Sequence, residues 1–201
     1  MNKLKLITLA ATISVSSAFA GTVFQDNFNT ENGGNGQLNY TGLAQWTVDR
    51  DSIDLIGPGF WDLYPGNGMY LDMDGSTGGS GNGKITTKMA FGAGSYTLMF
   101  DLGNNPGGGS SINSLTVTLG NWSETFLTTG YPALTTITRN FSTTGGNLVF
   151  EQGGPSDQQG TILDNVSLGT SGVQNVATPE PGSLLLAASA AVTALVLRRR
   201  S

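Results

Sequence analysis

Apolar side chains recur at every second position in a series of short runs along the middle of the chain. In SYTLMFDL (95–102) the alternation puts Tyr96, Leu98, Phe100 and Leu102 on one face. SLTVTL (114–119) does the same with Leu115, Val117 and Leu119. TILDNVSL (161–168) places Ile162, Asp164, Val166 and Leu168 on one side. A repeat of two is the signature of a half-buried strand. AQWTVDR (44–50), SIDLI (52–56), GMYLDM (68–73), KITTKMAF (84–91) and NLVFEQ (147–152) are further candidates, and 22–28 and 135–141 complete the set. Glycine and asparagine punctuate these runs in blocks at 32–36, 75–83, 103–109, 145–146 and 153–154. No helical repeat interrupts them. Short strands joined by turns predict an all-β domain over 21–170, an antiparallel two-sheet β-sandwich (jelly roll). No internal repeat is visible.

The two ends follow a different pattern. Residues 1–20 (MNKLKLITLAATISVSSAFA) carry Lys3 and Lys5, then an apolar run, then Ala18-Phe19-Ala20. Small residues at Ala18 and Ala20 form an A-x-A site, so a secretory signal peptide cut before Gly21 is expected. At the other end, 171–182 is a linker containing Pro179-Glu180-Pro181, and 183–197 is an uncharged stretch of 15 residues. It is shorter than the ~20 residues of an ordinary spanning helix, and usable as one short transmembrane helix if its flanks snorkel or the bilayer thins. Arg198, Arg199 and Arg200 (in the tail 198–201) would stay cytoplasmic under the positive-inside rule. A buried terminal helix is the plainer alternative. Pro179, Glu180, Pro181, the apolar stretch and Arg198–Arg200 together resemble the PEP-CTERM sorting signal of Gram-negative bacteria. The resemblance implies processing by an exosortase-type membrane enzyme and release to the extracellular space or cell surface.

Composition narrows the chemistry. Residues 21–178 hold four basic and 13 acidic side chains, a net charge of −9. Such a surface repels phosphate, so no nucleic acid partner is expected. The chain has no cysteine and no histidine. Disulfides, Ser-His-Asp and Cys-His catalysis and zinc–histidine sites are all excluded. Only carboxylate pairs remain for catalysis, and with 13 acidic residues their mere presence carries no information.

The order of short motifs adds a second resemblance: DNFNTE, Trp46-Thr47-Val48, SIDLIG, Trp61, GNGMYLDMDG, GSYTLMFDLGNN, SLTVTLG and ILDNVSL. This series is similar to the choice-of-anchor C family and relatives with a galactose-binding-like jelly roll. It implies a β-sandwich of extracellular, often carbohydrate-associated, proteins.

Three candidate sites follow. Phe60, Trp61, Asp62 and Tyr64 lie in a Gly- and Pro-bounded stretch (59–65), where exposed aromatics could stack on sugar rings beside a carboxylate acceptor. Trp46 and Trp122 are further aromatics of this kind, and the plainer reading is that such rings cap the sandwich. Asp164 sits mid-strand among apolar residues. A lone carboxylate facing a core needs pairing or coordination. Galactose-binding-like sandwiches imply a structural calcium between such a residue and the N-terminal loop, here Asp26, Asn29 and Glu31. The alternative places Asp164 at a bulge, bonding backbone amides. Asp72-Met73-Asp74-Gly75 offers two carboxylates at alternate spacing that could hold calcium; the plainer reading is a strand end whose Asp74 bonds local backbone. The expected function is a non-enzymatic carbohydrate-binding or exopolysaccharide matrix component; the alternative is a carboxylate-only polysaccharide hydrolase.

Overall fold

Strands form wherever the alternation is strong, and in two places where it is weak. The computed structural model describes residues 19–76, 82–108, 112–130 and 133–171. The signal segment 1–18, with Lys3, Lys5 and Ala18, lies outside the described residues, as do the linker, the apolar segment 183–197 and Arg198–Arg200. Among the described residues no helix is long and apolar enough to cross a membrane.

Twelve strands are described: β1 (Phe19–Asp26), β2 (Gln37–Tyr40), β3 (Trp46–Arg50), β4 (Ile53–Ile56), β5 (Tyr70–Asp72), β6 (Lys84–Thr87), β7 (Gly94–Asn104), β8 (Ser114–Leu119), β9 (Trp122–Leu127), β10 (Thr135–Thr143), β11 (Leu148–Gly153) and β12 (Thr161–Ser171). β2 and β9 were not among the expected strands, and KITTKMAF is a strand only as far as Thr87. A seven-stranded sheet runs β10-β7-β12-β5-β4-β2, with β1 added alongside β12, and a five-stranded sheet runs β3-β6-β11-β8-β9. All pairings are antiparallel. This is the expected two-sheet sandwich.

The core lies between the sheets. Leu98, Phe100 and Leu102 of β7 and Leu115, Val117 and Leu119 of β8 are all buried there, as their alternation requires. Phe100 meets Phe150 of the opposite sheet edge to face, with ring centroids 5.3 Å apart. Trp46 is fully buried, 5.2 Å from Phe24 and 5.7 Å from Phe150. It is a core residue, not a sugar platform. Trp122 is half-buried and stacked on Phe141 at 4.0 Å.

Pairing slips at several places, in β1, β2, β3 and β12, and the slip in β12 matters most for the core. Asn165 has φ +49°, and the pairing with β7 slips between Asp164 and Ser167. Three residues of β12 oppose two of β7 there, which is a bulge. A bulge reverses the phase of every later side chain. Leu163, Val166 and Leu168 therefore face the core, whereas Ile162 packs in a second cluster on the outer face of the seven-stranded sheet. The expected single row Ile162-Asp164-Val166-Leu168 does not exist.

β1 begins at Phe19, so the expected cut after Ala20 falls in its first two residues. The pairing from Gly21↔Thr170 to Asp26↔Val166 lies beyond that cut.

Candidate functional site

The outer face of the seven-stranded sheet is not polar throughout. Alternation in β4, β5 and β12 turns Ile53, Leu55, Leu71 and Leu163 inward, leaving Ile56, Tyr70 and Ile162 on the other side. Apolar surface of that kind is covered in a stable domain. The cover is the β4–β5 loop, residues 57–69, whose Phe60, Leu63 and Tyr64 pack on this second cluster together with Leu134.

A chain of hydrogen bonds holds the loop down. The Tyr70 hydroxyl donates to Asp62 Oδ1 at 3.0 Å and accepts from the Tyr64 amide at 2.8 Å. The Tyr64 hydroxyl donates to the Asn104 carbonyl at 2.5 Å, and the Met69 amide donates to Asn29 Oδ1 at 2.7 Å. Gly57 and Phe60 exchange two backbone bonds at 2.9 and 2.8 Å. Two glycines are required. A Cβ on Gly36 would stand 2.3 Å from the Phe60 ring, and one on Gly68 (φ +78°) would stand 2.0 Å from Asn29 Oδ1. Burial pushes the Tyr70 hydroxyl up to about 12, so it remains a donor throughout the physiological range.

Of the four predicted glycan residues, three therefore build the loop and one is presented by it. Phe60, Asp62 and Tyr64 are engaged with the sheet. Trp61 is 69% exposed, with φ +52°, a left-handed conformation disfavoured for so large a side chain. It stands over a groove of about 540 Å³. Leu38, Ile56 and Leu63 give the groove apolar walls; Asp54, Asp72, Asn105 and Gln159 give it polar ones.

Asp54 and Asp72 face each other across β4 and β5. Asp54 accepts from the Asn39 amide (2.7 Å), the Ser76 amide (3.1 Å) and the Ser76 hydroxyl (2.6 Å). Asp72 accepts from the Asp74 and Gly160 amides (3.0 and 2.9 Å) and from Asn105 Nδ2 (2.7 Å). Burial pushes the Asp72 carboxyl up to about 7; those three donors oppose the shift and the nearby Asp54 charge adds to it. Asp74 accepts from the Asp157 and Gln158 amides at 2.9 and 2.7 Å, so it bonds backbone distant in sequence rather than the local backbone expected of it. These carboxylates tie the 154–160 connection and the strand ends to the sheet.

The predicted calcium quartet does not close. Asn29 is engaged by Met69, and Glu31, buried, accepts two bonds from the Ala44 amide at 2.9 and 3.0 Å. Burial raises the Glu31 carboxyl against the pull of that amide. Asp26 accepts from the Phe28 amide and from Trp46 Nε1, both at 2.9 Å. Asp164, fully buried at the bulge, accepts from the Asn165 amide at 2.7 Å. Burial pushes its carboxyl up to about 7; the Asn165 amide opposes this, and Asp101 and Asp26 add like-charge repulsion. Among the described residues no three acidic side chains converge as a metal cage. Loop amides needed acceptors, and Glu31 and Asn29 supply them. Asp26 and Asp164 remain close enough to repel, beside a polar hollow of about 380 Å³ between β1 and β12.

The groove residues that sequence reasoning missed are Leu38, Asp54, Asn105 and Gln159; Asp72 was singled out, but as part of a possible calcium loop. One signal was available: Asp54 and Asp72 are carboxylates in short strands that are otherwise apolar. Nothing local marked Asn105 or Gln159.

No family model matches the chain, and no curated protein is similar to it. Solved structures are. The K3 adhesin domain of Lys-gingipain from Porphyromonas gingivalis shares 15% identity and a TM-score of 0.50, covering 74% of this chain and 97% of that one. A xylan-binding CBM22 domain shares 13% identity at TM-score 0.47, covering 77% and 97%. A Clostridium thermocellum xylanase 10B fragment with CBM22 and GH10 modules shares 12% at TM-score 0.46; this chain covers 29% of its length, with 76% of this chain matched. What the chain shares with the gingipain domain is the fold, an antiparallel two-sheet β-sandwich of jelly-roll type.

Proposed function

We propose that this protein is an exported, non-enzymatic carbohydrate-binding module that takes a glycan in the groove beneath Trp61. The observation that carries the reading is Trp61 itself. A large indole is held exposed, in a left-handed conformation, on a loop braced by Tyr70, Asp62 and Tyr64. Strain of that kind persists where surrounding structure enforces it, and it gathers at functional positions. An aromatic face beside carboxylate and amide acceptors suits the apolar C–H face and hydroxyl donors of a sugar. The adhesin name of the gingipain domain is consistent with a surface-binding role for this fold.

The ends of the sequence support the rest of the proposal. The A-x-A site and the PEP-arginine tail fit export, transient membrane anchoring, exosortase-type processing and a place among exopolysaccharide or cell-surface glycans. Calcium remains proposed only between Asp26 and Asp164.

The hydrolase alternative would draw on the Asp54–Asp72 pair, two carboxylates that face each other across β4 and β5. Each carboxylate is almost fully buried and already accepts three hydrogen bonds, which favours a structural role. Affinity electrophoresis of the intact protein through soluble polysaccharides tests the binding reading. Wild type should be retarded with a Kd near the millimolar end, about −4 kcal/mol, and Trp61→Ala should run free. Steady release of reducing ends from a retarding polymer would favour the hydrolase instead. Intact mass of the extracellular form tests sorting: a main species still bearing Arg198–Arg200 would overturn it.

A further inference from the structure

The groove beneath Trp61 has a charge character that its role as a glycan site does not require. Asp54, Asp72 and Asp157 line it, and among the described residues no lysine or arginine does. Basic side chains in the described domain are engaged elsewhere. Arg50 pairs with Glu151 at 2.8 Å and Arg139 with Glu124 at 2.8 Å, and Lys88 Nζ donates to the Leu43 and Ala44 carbonyls at 2.8 and 3.0 Å. Lys84 lies on β6, in the other sheet. The groove is also rich in acceptors. Beside the three carboxylates, Gln159 Oε1 is buried without a hydrogen-bond donor. A ligand here must bring donors and no negative charge.

We infer that the groove selects uncharged, hydroxyl-rich glycans and excludes uronic acid polymers. The inference rests on the glycan reading of this site. A sugar carboxylate entering the groove would meet the acidic side chains of Asp54 and Asp157, with Asp72 beside Asp54, and like charges set against each other disfavour binding. A neutral sugar instead offers hydroxyl protons to Asp157 and Gln159 Oε1 while its ring lies on Trp61. Specificity of this kind arises from repulsion of the wrong ligand as much as from attraction of the right one.

The test is affinity electrophoresis of the full chain in gels of neutral polymer (unsubstituted xylan, galactomannan, hydroxyethylcellulose) or of uronate polymer (polygalacturonate, alginate). Runs at low and at 0.5 M salt separate charge repulsion from shape, because repulsion is screened. At least one neutral polymer should retard wild type at both salts. Uronate polymers should retard it at least about tenfold less at low salt. Asp157→Lys should admit the uronates. Asp49→Lys, which changes the overall charge equally but lies on β3 in the opposite sheet, should not. Equal retardation by uronate and neutral polymers at low salt overturns the selectivity alone. An identical gain from Asp49→Lys also overturns it, by assigning the repulsion to the whole surface. Retardation by no polymer of either class sinks the glycan reading, and this inference with it.

Discussion

Trp46 and Trp61 stand on either side of β4 and have opposite fates. Trp46 is fully buried between the sheets, ringed by Phe24, Phe28 and Phe150, with its indole N–H on Asp26. Trp61 is exposed on the outer face, above a groove of aspartates. The residue type is the same, so chemistry alone does not separate them. Position in the alternation does. Trp46 begins a strand whose partner sheet closes over it. Trp61 sits at the crest of a loop whose other apolar residues have already covered the outer face.

Swapping each indole for a methyl group should give the largest contrast. Trp46→Ala leaves a core cavity and frees Asp26, and should destabilise the domain by about 3–5 kcal/mol in urea unfolding. Trp61→Ala should fall within about 0.5 kcal/mol of wild type while losing glycan retardation. Unfolding by Trp61→Ala would make it a core residue and collapse the distinction.

The carboxylates give the next effect. Asp72 and Asp164 have folded values raised from 3.8 to about 7. Between those values the folded state holds protons that the unfolded chain has lost, so stability is full below about 4 and is lost as pH rises through about 7. The melting temperature should fall by several degrees from pH 5 to pH 8. Asp72→Asn should flatten the groove-side part of that fall, and Asp164→Asn the part from the bulge. A flat wild-type profile would show that neither side holds a proton.

Loosening the loop sharpens the contrast more gently. Tyr70→Phe removes the hydroxyl shared by Asp62 and the Tyr64 amide. It should cost about 1–2 kcal/mol and weaken glycan retardation without abolishing it. Full retention of both would mean that the loop is held by its apolar contacts alone.

Calcium should have the smallest effect. With only Asp26 and Asp164 proposed as ligands, binding near its own Kd would add about 0.4 kcal/mol. Melting should rise by about a degree in millimolar calcium over chelator, and Asp164→Ala should erase the difference. Superimposed curves would leave Asp164 as a bulge residue only.

Much of the fold was legible because alternation with a period of two is a local property. Residues 95–102 and 114–119 show it without interruption, and their apolar rows lie in the core as read. Gln37–Tyr40 and Trp122–Leu127 carry weaker alternation and become strands through pairing with β4 and β8. Of the candidate site, one exposed residue was legible, Trp61, because aromatics beside glycine and proline mark a presented loop. Phe60, Asp62 and Tyr64 shared that signal but serve the loop, since only the sheet beneath shows which rings have a partner.

By itself, the sequence determined an all-β sandwich without cysteine, histidine or a basic face, and two ends unlike its middle. Composition and alternation are carried by each residue with its near neighbours. Tertiary structure decided the rest. One left-handed residue, Asn165, reversed the phase of β12 and brought Val166 and Leu168 onto the same side as Leu163. Cross-strand pairing set Asp54 against Asp72 at the floor of a groove. Connections distant in sequence brought Asn105 and Gly160 onto Asp72, and Asn29 onto the loop that presents Trp61. Such contacts depend on which strands become neighbours, and that is settled by burying the inner faces of the two sheets and the Ile56-Tyr70-Ile162 patch together.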